Sequence, residues 1–96
     1  MGEFKEKKIK LVVKSSKCSN YKEGDAIYIN RSLIDKEKSG NLCLTALVAL
    51  YPFIYAARKH VTAEQMGFSE MCFQCPDIDD RVEFRIVQYD EEDEMQ

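Results

Sequence analysis

Cys18, Cys43, Cys72 and Cys75 are the residues whose chemistry stands out in this sequence. The last two form the spacing Cys72-Phe-Gln-Cys75. In a metal knuckle that spacing lets two thiolates converge on one ion while nearby backbone N–H groups donate to the sulfurs. Cys18 and Cys43 could complete a four-thiolate site for zinc or an iron–sulfur cluster. The intervals from Cys18 to Cys43 and from Cys43 to Cys72, 25 and 29 positions, match no compact zinc or ferredoxin pattern. If residues 72–75 form a strand, the two side chains point to opposite faces, and only a break at Phe73-Gln74 would bring them to one metal. Thiol–disulfide exchange is the second chemistry this pair could carry, with Cys75 as nucleophile and Cys72 as resolving partner. Redox pairs of this spacing generally sit at a helix N-terminus, whereas acidic residues follow this one. The plainer alternative is that free cysteines behave as small buried hydrophobes.

Other constellations are weaker. His60 is the only histidine, and near a helix C-terminus it suits a charge–dipole contact better than catalysis. The sequence has no Ser-His-Asp set, Gly-rich phosphate loop or His-Glu-x-x-His motif. Asp77, Asp79 and Asp80 form an acidic cluster without EF-hand spacing, and read as turn formers. Lys5, Lys7, Lys8 and Lys10 make a basic patch too short to argue for nucleic acid.

Periodicity supplies the elements that must position these groups. Ile9, Leu11 and Val13 alternate with lysines, the pattern of a half-buried strand. Residues 26–30 (AIYIN) read as a second strand after the Gly24-Asp25 turn. Residues 31–41 read as a charged loop with a short helical turn at 32–36. Ser39 or Asn41 is the expected N-cap of a central helix from about Leu42 to Lys59, kinked or broken at Pro52. Thr62-Ala-Glu-Gln65 fits a capping box. Glu70–Cys75 is the expected third strand. A fourth begins at Val82, with a bulge or a two-sided covering implied where Val87 and Tyr89 shift the apolar face.

The whole chain sets the bounds. Its 96 residues suit one domain, and 45% hydrophobic with 32% charged residues excludes general disorder. A core of this size buries only roughly 65% of the unfolded surface, so oligomerisation would help. Residues 1–60 hold 12 Lys and Arg against 6 Asp and Glu, and residues 61–96 hold 2 against 11, which recovers the net charge of −3. That balance gives no case for nucleic-acid binding. The uncharged stretch Leu42–Ala57, as a helix, rises about 24 Å against a hydrocarbon core of roughly 30 Å, so it reads as a helix buried on most sides and no membrane partner is expected. Met1–Lys8 has lysines with no apolar run behind them, so no secretory signal is expected and a cytoplasmic location follows, with stable disulfides disfavoured.

Three pieces of the sequence carry a resemblance. They are Cys18-x2-Tyr21-x2-Gly24-Asp25, the stretch Cys43-Leu-Thr45-Ala46-Leu47 leading to Tyr51-Pro52-Phe53-Ile-Tyr55, and Cys75-Pro76-Asp77 followed by Val82-Glu-Phe84-Arg-Ile86. In this order they resemble a family of small bacterial and archaeal proteins of about this length with no assigned activity. The resemblance implies that Cys18, Cys43 and Cys75 belong to the family pattern while Cys72 is optional. Three thiolates would leave one coordination position open, as in a substrate-binding cluster or a catalytic zinc.

The expectation is therefore a single α+β domain over residues 1–89 with an acidic, disordered tail at 90–96. Its order is β-β-α-β-β, with one Pro-kinked helix on a small, largely antiparallel sheet. Cys18, Cys43 and Cys75 are expected near one another at the start of the helix. The leading function is a homo-oligomeric binding or accessory protein with a zinc or iron–sulfur site on Cys18, Cys43, Cys75 and Cys72. The rivals are a thiol enzyme and an interaction module with structural cysteines.

Overall fold

The computed structural model describes residues 6–89; the expected acidic tail lies outside them. Nine residues with strict alternation make β1 (Lys8–Ser16), whose Ile9, Leu11 and Val13 are almost wholly buried. It pairs antiparallel with β2 (Ala26–Asn30) on one side and β5 (Val82–Tyr89) on the other. β3 (Leu33–Ile34) flanks β2 and β4 (Cys72–Gln74) flanks β5, giving the order β3-β2-β1-β5-β4. The connection from β3 to β4 carries α1 (Leu44–Arg58) and a short 3-10 turn at Glu64–Met66. The fold is α+β, with one helix on a five-stranded antiparallel sheet.

α1 lays Ala46, Leu50, Ile54 and Ala57 on the sheet face formed by Ile9, Leu11, Ile27, Phe84 and Ile86. Each fully buried aliphatic side chain there is worth about 1.5–3 kcal/mol relative to exposure. On the opposite face Tyr28 and Tyr89 meet edge to face at 5.5 Å, and the Lys10 ammonium lies 5.8 Å from each ring.

Several expectations need correction. The segment after β2 makes no helical turn at 32–36: Arg31 takes a left-handed φ of 59° and the chain returns at once as β3, pairing Asn30 with Leu33. The irregularity lies at Lys14 in β1, between the pairs Val13–Phe84 and Ser15–Glu83, and β5 runs on regularly. Of the two readings of the shift at Val87 and Tyr89, the two-sided covering is the one that holds, since Tyr89 is buried on the outer face against Tyr28. The strand expected over Glu70–Cys75 is confined to Cys72–Gln74 and is the fourth in chain order, β4.

The helix begins two residues later than expected, with Cys43 as its N-cap. Ser39 is occupied instead with β2, its hydroxyl accepting the Tyr28 N–H at 2.8 Å. α1 continues through Pro52 without interruption. Pro52 and Val48, whose carbonyl the proline leaves without its usual donor, are both exposed, so water can serve that carbonyl. Nor is the helix buried on most sides: Leu44, Val48, Tyr51 and Tyr55 are exposed.

Candidate functional site: a three-cysteine cavity at the start of the helix

Three loops are tied together where α1 begins. The Lys17 N–H donates to the Arg81 carbonyl at 2.8 Å, fastening the chain after β1 to the turn before β5. Asn41 donates its side-chain amide to the Asn20 carbonyl at 2.8 Å, fastening the same loop to the approach to α1. Tyr21 completes the junction. Its hydroxyl donates to the Asn41 carbonyl at 2.7 Å and accepts the Cys43 N–H at 2.9 Å, while its ring stands edge-on to Phe84 at 5.5 Å.

These ties bring Cys18, Cys43 and Cys75 to the wall of one cavity of about 220 Å³. Cys18 follows β1, its N–H held by the Ser16 hydroxyl at 3.1 Å. Cys43 caps α1 in an extended conformation without any side-chain bond to the first turn. Thr45 and Ala46 of that turn also line the cavity, so it borders the end of α1 where N–H groups lack intrahelical partners. Cys75 follows β4 and is 6% exposed. Its sulfur accepts the Val82 N–H at 3.3 Å and lies 3.8 Å from the Asp80 carbonyl. A backbone N–H aimed at a cysteine sulfur is the arrangement that supports a thiolate in metal knuckles.

The remaining polar lining includes Asp77 and Asp80, and no Lys, Arg or His stands among the lining residues described. Asp77 has a local task as well, accepting the Asp79 and Asp80 N–H groups at 3.0 Å each to shape the turn. Electrostatically the two carboxylates favour a cation, while the first-turn N–H groups of α1 favour negative charge such as a thiolate beside it. Burial raises the Tyr21 phenol above its ordinary pKa, opposed by the hydrogen bond from the Cys43 N–H, so at neutral pH this hydroxyl stays protonated.

Cys72 stands apart. It pairs with Arg85 while Phe73 pairs with the fully buried Phe84, and Cys75 continues the ladder to Val82 at 2.9 Å. Alternation therefore sends Cys72 and Cys75 to opposite faces of the sheet. Near Cys72 lie Lys14, Glu70 and Arg85; hydrogen bonds from Lys14, then from the Cys72 thiol, hold the Glu70 carboxyl below the usual range. All four cysteines are free thiols. Among the described residues, no three His, Cys, Asp or Glu side chains are gathered closely enough to hold a metal ion.

Tyr21 and Asn41 carry most of the local order, and their roles were not evident from residue type; only the fixed interval from Cys18 to Tyr21 hinted at the former. Among the described residues no helix is long and apolar enough to cross a membrane. Comparison with known proteins finds no matching family model, no similar curated protein and no similar solved structure.

Proposed function

We propose that this chain is a small binding protein whose cavity at the start of α1 holds a thiolate-ligated metal centre through Cys18, Cys43 and Cys75. The observation that carries this reading is that three thiols, from three separate segments, line one cavity whose charged lining among the described residues is acidic. A single zinc ion draws each sulfur to about 2.3 Å from one point. An iron–sulfur cluster instead offers separate irons to separate thiolates, which suits thiols distributed around a cavity. The reading therefore favours a cluster over a lone zinc ion. Three thiolates leave one position for a carboxylate of Asp77 or Asp80, or for a ligand from outside.

The test is protein purified without oxygen and without a His-tag, assayed for iron, acid-labile sulfide and zinc, with a visible spectrum. Stoichiometric iron and sulfide with broad absorption near about 400 nm are expected. Cys43→Ser should lose that absorption together with several kcal/mol of stability, because metal binding is coupled to folding. Cys72→Ser should keep both. Folded, colourless protein that takes up neither iron nor zinc overturns the reading.

A further inference from the structure

α1 presents an outer face of uncharged side chains, bounded at its C-terminal end by the Arg58 guanidinium and the Lys59 ammonium, 5.3 and 5.4 Å from the Tyr55 ring. Its exposed residues are Leu44, Thr45, Val48, Tyr51, Pro52 and Tyr55, and the first charged residue of the helix, Arg58, is buried. Leu44 is 76% exposed, Val48 66%, Tyr51 52% and Tyr55 47%. A solvated helix face normally carries charges, so this one lacks a covering. We infer that it is the contact surface between two copies of this chain, packed as antiparallel helices about a two-fold axis.

The spacing selects a second copy. Leu44, Val48, Tyr51 and Tyr55 are separated by 4, 3 and 4 positions, an order that reads the same from either end. A two-fold contact must be self-complementary, and this one is. With the axis midway between Val48 and Tyr51, Tyr51 meets the partner's Val48 and Tyr55 meets the partner's Leu44. Each large ring is thereby set against a smaller side chain, and the 3-and-4 spacing is that of interlocking helices. No like charges oppose one another across the seam.

The area is sufficient. These side chains together with the exposed Leu42 offer roughly 500 Å² per copy, so a symmetric pair buries about 1,000 Å² at most, the least that a specific, weak interface needs. An interface of that size belongs to a weak, reversible association rather than a permanent assembly. The inference is independent of the metal centre, and holds for protein with or without it.

Sedimentation velocity on the full chain across the micromolar range tests it. A reversible dimer is expected. Val48→Glu puts two carboxylates beside the axis and should weaken association by roughly 100-fold, with an unchanged circular dichroism spectrum because the side chain is largely exposed. Leu33→Glu, equally exposed but on β3, should leave the dimer intact. A monomer at every concentration overturns the inference, as does a dimer that survives Val48→Glu. Monomeric protein that sediments with anionic phospholipid vesicles would assign the face to a lipid surface and also overturn it.

Discussion

Two titratable side chains, Tyr21 and Glu6, make the stability of this fold depend on pH at opposite ends of the scale. Tyr21 ties the Asn41 carbonyl to the Cys43 N–H, and its raised pKa means the unfolded chain ionises first, near about 10. Its contribution is therefore full below that pH and is lost as pH rises through the folded value. Tyrosinate absorbance should show an ionisation step above the ordinary phenol value, and Tyr21→Phe should abolish it. The same substitution leaves a carbonyl and an N–H unpaired, and should cost about 1–3 kcal/mol in urea denaturation at neutral pH. Glu6 acts at the other end. Hydrogen bonds from Lys59 and then Arg58 lower its pKa, so its contribution is present above the usual carboxylate value and lost as pH falls through the folded one. Glu6→Gln should flatten the acid limb of a plot of melting temperature against pH.

Among the elements, α1 ends in a way that its sequence resists. The Val61 N–H reaches back to the Ala56 carbonyl at 3.0 Å and the His60 N–H to Ala57 at 3.1 Å, a Schellman closure that needs a left-handed residue. That residue is His60, with φ of 69°, where glycine is usual. His60→Gly relieves the crowding of its Cβ and should stabilise the protein by about 0.5–1 kcal/mol in chemical denaturation. The next turn shows the opposite case, in which residue types and structure agree. The Thr62 N–H donates to the Gln65 side chain at 2.8 Å, and the Gln65 N–H to the Thr62 hydroxyl at 3.2 Å, the reciprocal capping expected from Thr-x-x-Gln.

At the scale of the molecule, Phe84 joins the core to the candidate site. It is fully buried, pairs across the ladder with Phe73 and carries Tyr21 edge-on. Phe84→Ala should cost about 3–5 kcal/mol. For a domain whose whole stability is of order 5–15 kcal/mol, that removes a large share of it and should lower the urea midpoint. The same cavity would unseat Tyr21, so thiol reagents should reach Cys75 faster in this variant than in wild type. Cys75 is otherwise shielded by its 6% exposure.

The strands β1 and β5 were legible from alternation, β2 from its β-branched and aromatic residues, and the helix from a long uncharged run. The grouping of Cys18, Cys43 and Cys75 was legible too, since each follows or opens an element at the same end of the sheet. The separation of Cys72 from Cys75 followed from alternation in any extended segment. What the tertiary structure decided was which surfaces meet. An uncharged helix has no polar side to mark its outside, so nothing within Leu44–Ala57 could say which residues would be covered. Only the sheet, by burying Ala46, Leu50, Ile54 and Ala57, leaves Leu44, Val48, Tyr51 and Tyr55 as the other face. β3 is likewise a product of context: two residues have no periodicity, and they form a strand because β2 offers them an unpaired edge.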